Sequence, residues 1–246
     1  MGFTDLHCHL LPGVDDGPGT MAESMDYAMA AVAAGTSRIV ATPHVERVDV
    51  AELPDRVQEL REELRRERIP LVVECGGELK PRSVYALSAA ELDVIAHGPP
   101  GRRWLLYEVP FRGVDELFLD GARELVDRGY GLLCAHPERS QGLLAGGLTA
   151  LQPLLEAGAV VAANVAPLAG DEGPERHAAA LHVLRRGLAG VIATDAHPPR
   201  RPFTLADGEY AVHAATGREE QAEWLTTVAP ARLLSDGLAG AGRFAA

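Results

Sequence analysis

The segment Phe3-Thr4-Asp5-Leu6-His7-Cys8-His9-Leu10-Leu11-Pro12-Gly13-Val14-Asp15-Asp16-Gly17 decides how the rest of the chain is read. A short apolar run, residues 3–7, leads into two histidines one residue apart, and a Gly/Pro/Asp turn follows at once. Side chains alternate across a strand, so His7 and His9 project to one side and can share a metal ion. Such a pair also arises by chance on a surface or in a core. Its weight therefore depends on what stands at the ends of the other apolar runs.

Six such runs follow, at residues 38–41, 71–75, 104–107, 130–135, 159–163 and 190–193. Most are rich in Val, Ile and Leu and lack polar alternation, as expected of strands covered on both faces. Helical patterns lie between them at residues 21–34, 55–68, 84–96, 114–128, 148–157 and 175–186. The second is clearest, because Val57, Leu60 and Leu64 recur at spacings of three and four among charged neighbours. Gly35, Gly129, Gly158 and Gly187 follow helical patterns, and Pro54 and Pro174 stand where helices begin. Alternating strands and helices predict an α/β fold with parallel strands, and an open sheet or a closed barrel would satisfy the pattern equally. Beyond Pro202, residues 205–215 and 219–234 read as helices. We expect one domain over residues 1–236 and a flexible Gly/Ala-rich tail at 237–246.

Composition narrows the function classes. The 246 residues carry 35 acidic and 23 basic side chains, a formal charge of −12, which argues against a nucleic-acid partner. An acidic chain still handles phosphate where bound cations reverse the local sign. Three cysteines without a CxxC pair give no disulfide framework and suit a reducing cytoplasm. No stretch reaches the roughly 18 apolar residues of a membrane span, so we expect a cytoplasmic protein without membrane insertion.

Every apolar run ends at or near a polar group: His7 and His9, His44, Glu78, Glu108, His136, Asn164, then Asp195 and His197. Parallel strands bring their C-terminal ends to one face, so these residues are expected to meet. His97, His177, His182 and His213 fall in helices or loops instead. Of Asp15 and Asp16, one reads as a solvated turn residue capping the next helix, and Asp16 is taken as the ligand. Glu78 and Glu108 adjoin buried runs, where a carboxylate must be paired or metal-bound. A structural salt bridge is the alternative for either. Arg139, three residues beyond His136, can grip two phosphate oxygens or serve a surface ion pair, and Arg200 and Arg201 add further charge.

His7, His9, Asp16, His44, Glu78, Glu108, His136, Asp195 and His197 exceed what one ion can use, so two or three divalent ions are implied. Nitrogen and oxygen donors without thiolate suit manganese, iron or zinc. Cys8 alternates away from its neighbouring histidines and is left out. A cysteine-based phosphatase is excluded, since the sixth position after each cysteine holds Val14, Pro81 or Ser140 rather than arginine.

The series HCH, LPGVDDG, TPH, GGE, YEVP, AHPER and ATDAH, from Asp5 to about Phe203, resembles the PHP (polymerase and histidinol phosphatase) superfamily. It is most similar to the manganese-dependent protein tyrosine phosphatases of bacterial capsule and exopolysaccharide operons. The resemblance implies a distorted seven-stranded (β/α) barrel of TIM-like type and a trinuclear centre. His7, His9, Glu78 and Asp195 would surround one ion, Glu78, Glu108 and His136 a second, and Asp16, His44 and His197 the third. It further implies phosphotyrosine hydrolysis by a metal-activated hydroxide, with His136, Arg139 and Arg201 as catalytic candidates. The tyrosine-rich tail of an autokinase is the implied partner, and an oligomer is compatible. Ser140 stands where such proteins often carry an aromatic, Pro198 where they tend to carry Asn, and Pro167 interrupts NVAPLAG. Competing readings are a phosphatase of small esters such as histidinol phosphate or a nucleotide, a non-catalytic metal scaffold, and an amidohydrolase. The last would need Lys80, two residues beyond Glu78, as a carboxylated bridge.

Overall fold

A computed structural model describes residues 2–142 and 147–238. Among these described residues eight parallel strands form two sheets. The first runs β1 (Phe3–Cys8), β2 (Thr36–Ala41), β3 (Val72–Cys75), and the second β4 (Glu78–Leu79), β5 (Trp104–Glu108), β6 (Gly131–Ala135), β7 (Val160–Asn164), β8 (Ala189–Ala193). Seven coincide with the apolar runs. The eighth arises because Gly76 and Gly77 split the third run from Glu78. A Cβ on Gly76 would come within 2.6 Å of Val40 Cγ1, and one on Gly77 within 2.7 Å of Val45 Cγ1, so only glycine lets the chain pass here.

Main-chain hydrogen bonds bridge both seams between the sheets. On one side Gly76 donates to Ala41 and Glu78 to Pro43, at 2.9 and 3.0 Å. On the other Asp195 donates to His7 at 2.8 Å and His9 to Ala196 at 2.9 Å. Asp5 ties this second seam from below, accepting from Thr194 N at 3.1 Å and Thr194 Oγ1 at 2.5 Å. Burial pushes its carboxyl up to about 6.

The helices follow the sequence patterns, with boundaries set by caps. They are α1 (Met21–Ala33), α2 (Leu53–Arg66), α3 (Ala89–Ile95), α4 (Glu116–Asp127), α5 (Gln152–Glu156), α6 (Val165–Ala169), α7 (Pro174–Arg185), α8 (Leu205–Thr216), α9 (Glu219–Glu223) and α10 (Ala229–Asp236). Thr20, rather than either aspartate of the preceding turn, caps α1 through a reciprocal pair with Glu23. The pattern at 84–96 begins instead as a 3-10 turn, Pro81–Tyr85, and α3 starts only at a second capping box between Ser88 and Glu91. Pro167 does not break its segment, because it occupies the first turn of α6, where a missing N–H costs nothing. A π-helical turn, Trp224–Val228, joins α9 to α10.

One hydrophobic cluster draws Leu6, Val40, Trp104, Leu106, Leu133, Ala162 and Val191 from six strands and fills the space they enclose. Leu233 of α10 and Leu238 plug its lower end, where Trp104 Nε1 donates to the Leu233 carbonyl at 2.8 Å. Two further clusters lie between the strands and the outer helices. Leu238 is thus packed, its N–H bound to Arg102 O at 2.9 Å, although a flexible tail was expected from 237. Residues 239–246 of that expectation lie outside the described residues. No helix among the described residues is long and apolar enough to cross a membrane.

His97 pairs through its backbone with Trp104 in both directions, at 3.0 and 2.8 Å, and its ring packs on that indole. Burial and then the Arg103 charge lower its pKa to about 4, against an ordinary value near ~6.5. Between those values the unfolded chain binds the proton and the folded one does not. Stability is therefore whole above about pH 6.5 and falls as pH drops towards about 4, by up to ~3 kcal/mol. Urea unfolding of wild type and His97→Gln across this window checks it: the variant is expected to show a shallower pH slope, and equal slopes would contradict the assignment.

Candidate metal centre

The rim is built by strand periodicity continued past the apolar core. Val40 lies inside, and His44 stands four residues on. Leu106 and Ala162 likewise lie inside, and Glu108 and Asn164 stand two residues on. In β1 the pairing with β2 shifts register between Asp5 and Cys8; His7 lies within that irregularity and His9 just past it. His136 and Asp195 reach it differently. Each leaves its strand in the left-handed region, with φ of 38° and 48°, where histidine and aspartate are among the few non-glycine residues tolerated.

All nine residues expected as ligands are brought together. Four overlapping groups contain them: His9 with Asp16, His44 and His197; His7 with His9 and Asp195; His7 with Glu78 and His136; and His44 with Glu78 and Glu108. His7 Nε2 and His9 Nε2 are 3.3 Å apart. Glu78 Oε2 lies 3.5 and 3.4 Å from those two nitrogens, and Asp195 Oδ1 lies 3.3 and 3.4 Å from them. Separations of 3.3–3.5 Å are what two donor atoms about 2.1 Å from a shared ion show at a near-tetrahedral angle, so each of these nitrogen–oxygen pairs is spaced to share a metal. The grouping implied by the resemblance differs in several places: His9 also joins Asp16, His44 and His197, and Asp195 groups with His7 and His9 without Glu78. His136 sits with His7 and Glu78, its Nε2 2.9 Å from Glu78 Oε1, whereas Glu108 groups with Glu78 and His44.

Electrostatics also fit divalent ions. Burial alone would raise the pKa of Glu78 and Asp195, yet the surrounding imidazoles hold both carboxyls well below their ordinary range. Glu108 has no such surplus of cations: burial and then the Glu78 charge push it up to about 8. Burial keeps His136 below the ordinary imidazole value, and burial together with His9 takes His197 to about 4, so both are neutral donors. Among the described residues seven buried side-chain polar atoms lack a hydrogen-bond partner. Three of them, His7 Nδ1, Asp16 Oδ1 and His136 Nδ1, belong to this set, and a fourth, His44 Nδ1, stands 2.9 Å from Glu78 Oε2.

Three side chains with structural claims on the site were not foreseen. Asp15, expected at most as a solvated turn residue, is buried: its Oδ2 lies 2.6 Å from His9 Nδ1 and accepts from His44 N at 3.0 Å. A carboxylate on the far nitrogen fixes a ligating imidazole's tautomer, and the i, i+6 spacing to His9 carries no periodic signal. Glu172, between α6 and α7, accepts from Arg139 Nε at 3.0 Å and Arg176 Nη1 at 2.9 Å and lies 3.6 Å from Arg201 Nη1. Phe111 lines the cavity over His136. Arg139 itself is buried, donating from Nη1 to Asp195 Oδ2 at 2.6 Å, which Asn164 Nδ2 also reaches at 3.0 Å. Arg201 is more open and lies 3.4 Å from the same oxygen. Lys80 pairs with Glu46 and stands 3.8 Å from Glu108, outside the four ligand groups. The cavity above the rim holds about 420 Å³, and Arg47, Lys80, Arg200 and Arg201 line it beside the carboxylates of Asp16 and Glu108.

The family model for capsular polysaccharide synthesis, CpsB/CapC, matches residues 3–235. Tyrosine-protein phosphatase YwqE of Bacillus subtilis (strain 168) is 32% identical over 224 residues, covering 87% of this chain and 85% of its own length. A crystal structure from work on YwqE of Bacillus subtilis and CpsB of Streptococcus pneumoniae, described as metal-dependent tyrosine phosphatases, superposes with a TM-score of 0.79. It is 29% identical and covers 94% of this chain and 93% of its own. The phosphotriesterase homology protein of Escherichia coli, at 15% identity and a TM-score of 0.62, shares the fold over 94% of this chain and 98% of its own.

Two outcomes are expected. Manganese at a hundredfold excess over its dissociation constant adds about 2.7 kcal/mol, so it should raise the thermal midpoint by roughly 5–10 °C, and chelation should reverse the rise. A midpoint indifferent to both would contradict the assignment. Asp15→Asn should weaken metal binding about 10–100-fold in a competition titration while leaving the far-ultraviolet spectrum intact. Unchanged affinity would show that Asp15 does not orient His9.

Proposed function

The chain belongs to the CpsB/CapC family of capsular polysaccharide synthesis, and on that premise we propose that it is a metal-dependent protein-tyrosine phosphatase. The observation that carries the reading is the pair of buried imidazoles, His7 and His9, whose Nε2 atoms each lie 3.3–3.5 Å from carboxylate oxygens of both Glu78 and Asp195. Two or three ions fit the nine donors, with manganese first and iron or zinc as alternatives. We take β3 and β4 as one strand interrupted at Gly76 and Gly77, which makes the fold the distorted seven-stranded barrel that the resemblance implies.

Bound divalent ions would supply Lewis acidity towards phosphoryl oxygens and draw the pKa of water towards about 7. The chain's own residues do the rest. His7, His9, Asp16, His44, Glu78, Glu108, His136, Asp195 and His197 hold the ions, and the neutral imidazoles of His136 and His197 are ready to ligate without first losing a proton. Arg139, bound on two sides by Asp195 and Glu172, keeps Asp195 Oδ1 turned towards His7 and His9. Arg201, 27% exposed at the cavity wall, is the guanidinium placed to meet a phosphoryl oxygen and offset charge as it builds. A phenolate, with a conjugate acid near ~10, leaves without a strong general acid. No side chain is needed as a covalent nucleophile: Cys8 and Cys134 are buried, and burial pushes every cysteine pKa up.

The substrate is then a phosphotyrosine protein, with the tyrosine-rich tail of an autokinase as the partner and the cytoplasm as the setting. Hydrolysis of a phosphotyrosine peptide should stop on chelation and return with manganese. His136→Ala combined with His7→Ala should abolish it. Arg201→Ala should lower kcat/KM about 100-fold with metal content unchanged, whereas Arg139→Ala should lower metal content as well. Release of inorganic phosphate in a chelated sample, or by the double variant, would overturn the reading. Faster turnover of a small alkyl phosphate than of the peptide would shift the substrate class.

A further inference from the structure

An exposed phenylalanine is common on protein surfaces and means little alone. Phe111, 44% exposed, differs in being fixed and in where it is fixed. Its carbonyl accepts from Gln141 N at 2.7 Å, and the Pro110 carbonyl before it accepts from Ser140 Oγ at 2.6 Å and Gly113 N at 3.0 Å. A Cβ on Gly142 would lie 2.6 Å from Gly113 Cα, so the two backbones are in direct contact. The turn after β5 is thereby fastened to the segment after His136. The Phe111 ring lies nearly parallel to the His136 imidazole, at 14° and 5.7 Å between centroids, and the Arg139 guanidinium carbon is 5.2 Å from its centre. The rest of its surface lines the cavity above the candidate ligands.

This placement has a chemical consequence. A phosphoryl group held beside His136 and Glu78 carries its organic substituent outward past the layer occupied by Phe111. An aromatic substituent meets that ring in offset-stacked or edge-on contact, while a short alkyl ester gains nothing comparable. Among the described residues the remaining wall is charged or imidazole, with Arg47, Lys80, Glu108 and Arg201, and holds no second Phe, Tyr or Trp. We propose that Phe111 is the specificity-determining residue that makes this an aryl-phosphate site, packing against the phenyl ring of the substrate tyrosine. The proposal rests on the phosphatase reading above and adds the residue that selects the leaving group.

The test uses the full chain loaded with manganese, as wild type, Phe111→Ala, Phe111→Leu and Phe111→Tyr, and reads binding of two non-hydrolysable probes, phenylphosphonate and methylphosphonate, by calorimetry. Kinetics on one peptide carrying phosphotyrosine or phosphoserine at the same position run alongside. Phe111→Ala and Phe111→Leu should weaken phenylphosphonate about five- to tenfold and methylphosphonate less than twofold, and should raise KM for the phosphotyrosine peptide to match. Phe111→Tyr, which keeps the ring, should bind both probes as wild type does. Equal weakening of both phosphonates, or an undiminished preference for the phenyl probe in Phe111→Ala and Phe111→Leu, would overturn the role of Phe111 while leaving the phosphatase reading intact. Failure of wild type to hydrolyse the phosphotyrosine peptide would overturn that reading and this inference with it.

Discussion

Glu78 and Asp195 are carboxylates that water barely reaches, at 1% and 4% exposure, and everything else at the rim answers to that constraint. Charges out of water are costly unless compensated. Each is met by imidazoles from distant parts of the chain, and Asp195 also by two arginines and an amide. Imidazole compensates a carboxylate only when protonated, and a cluster of neutral and charged rings packed at 3.8–6.2 Å between centroids repels itself when fully charged. A divalent cation resolves the conflict, because it satisfies carboxylate oxygens and neutral nitrogens together.

The fold meets this demand by dividing its interior into two layers. Trp104, Leu106, Leu133, Val191 and their neighbours form the lower one, closed from beneath by Leu233 and Leu238. The same strands, a residue or two further on, carry the polar groups of the upper layer. Stability and chemistry thus occupy opposite ends of one set of strands, the usual division in parallel α/β architectures. The two left-handed residues, His136 and Asp195, mark where the strand path alone does not deliver the side chain.

The strands and the gathering of the candidate ligands at one rim were legible because both depend on local order: an apolar run buried on two faces, then a polar residue at its end. What escaped reading depends on contacts between segments. The break between β3 and β4 follows from Val40 and Val45 crowding Gly76 and Gly77; the glycine pair allows a close approach or an unusual turn, but nothing within residues 71–79 names the partners that crowd it. Asp15 looked like turn chemistry and proves to brace His9, since only the folded turn brings it under that ring. Glu172 lies in a polar connection whose partners, Arg139 and Arg201, are 33 and 29 positions away in the chain. Ser88 with Glu91 has the spacing of a helix start, but it lies inside the longer helical pattern at 84–96 and is masked by it. Ser140, noted only as lacking an aromatic, anchors the turn that presents one from position 111.

Family membership and local geometry converge on one chemistry, and they do so through different residues. The family match spans nearly the whole chain, whereas the geometric case rests on a handful of donor atoms at one rim. The most direct measurement is an anomalous difference map from crystals grown with manganese. The account predicts at least two peaks at the rim, one within bonding distance of His7, His9, Glu78 and Asp195. A map with no peak among those four side chains, or with a single ion bound elsewhere, would contradict it.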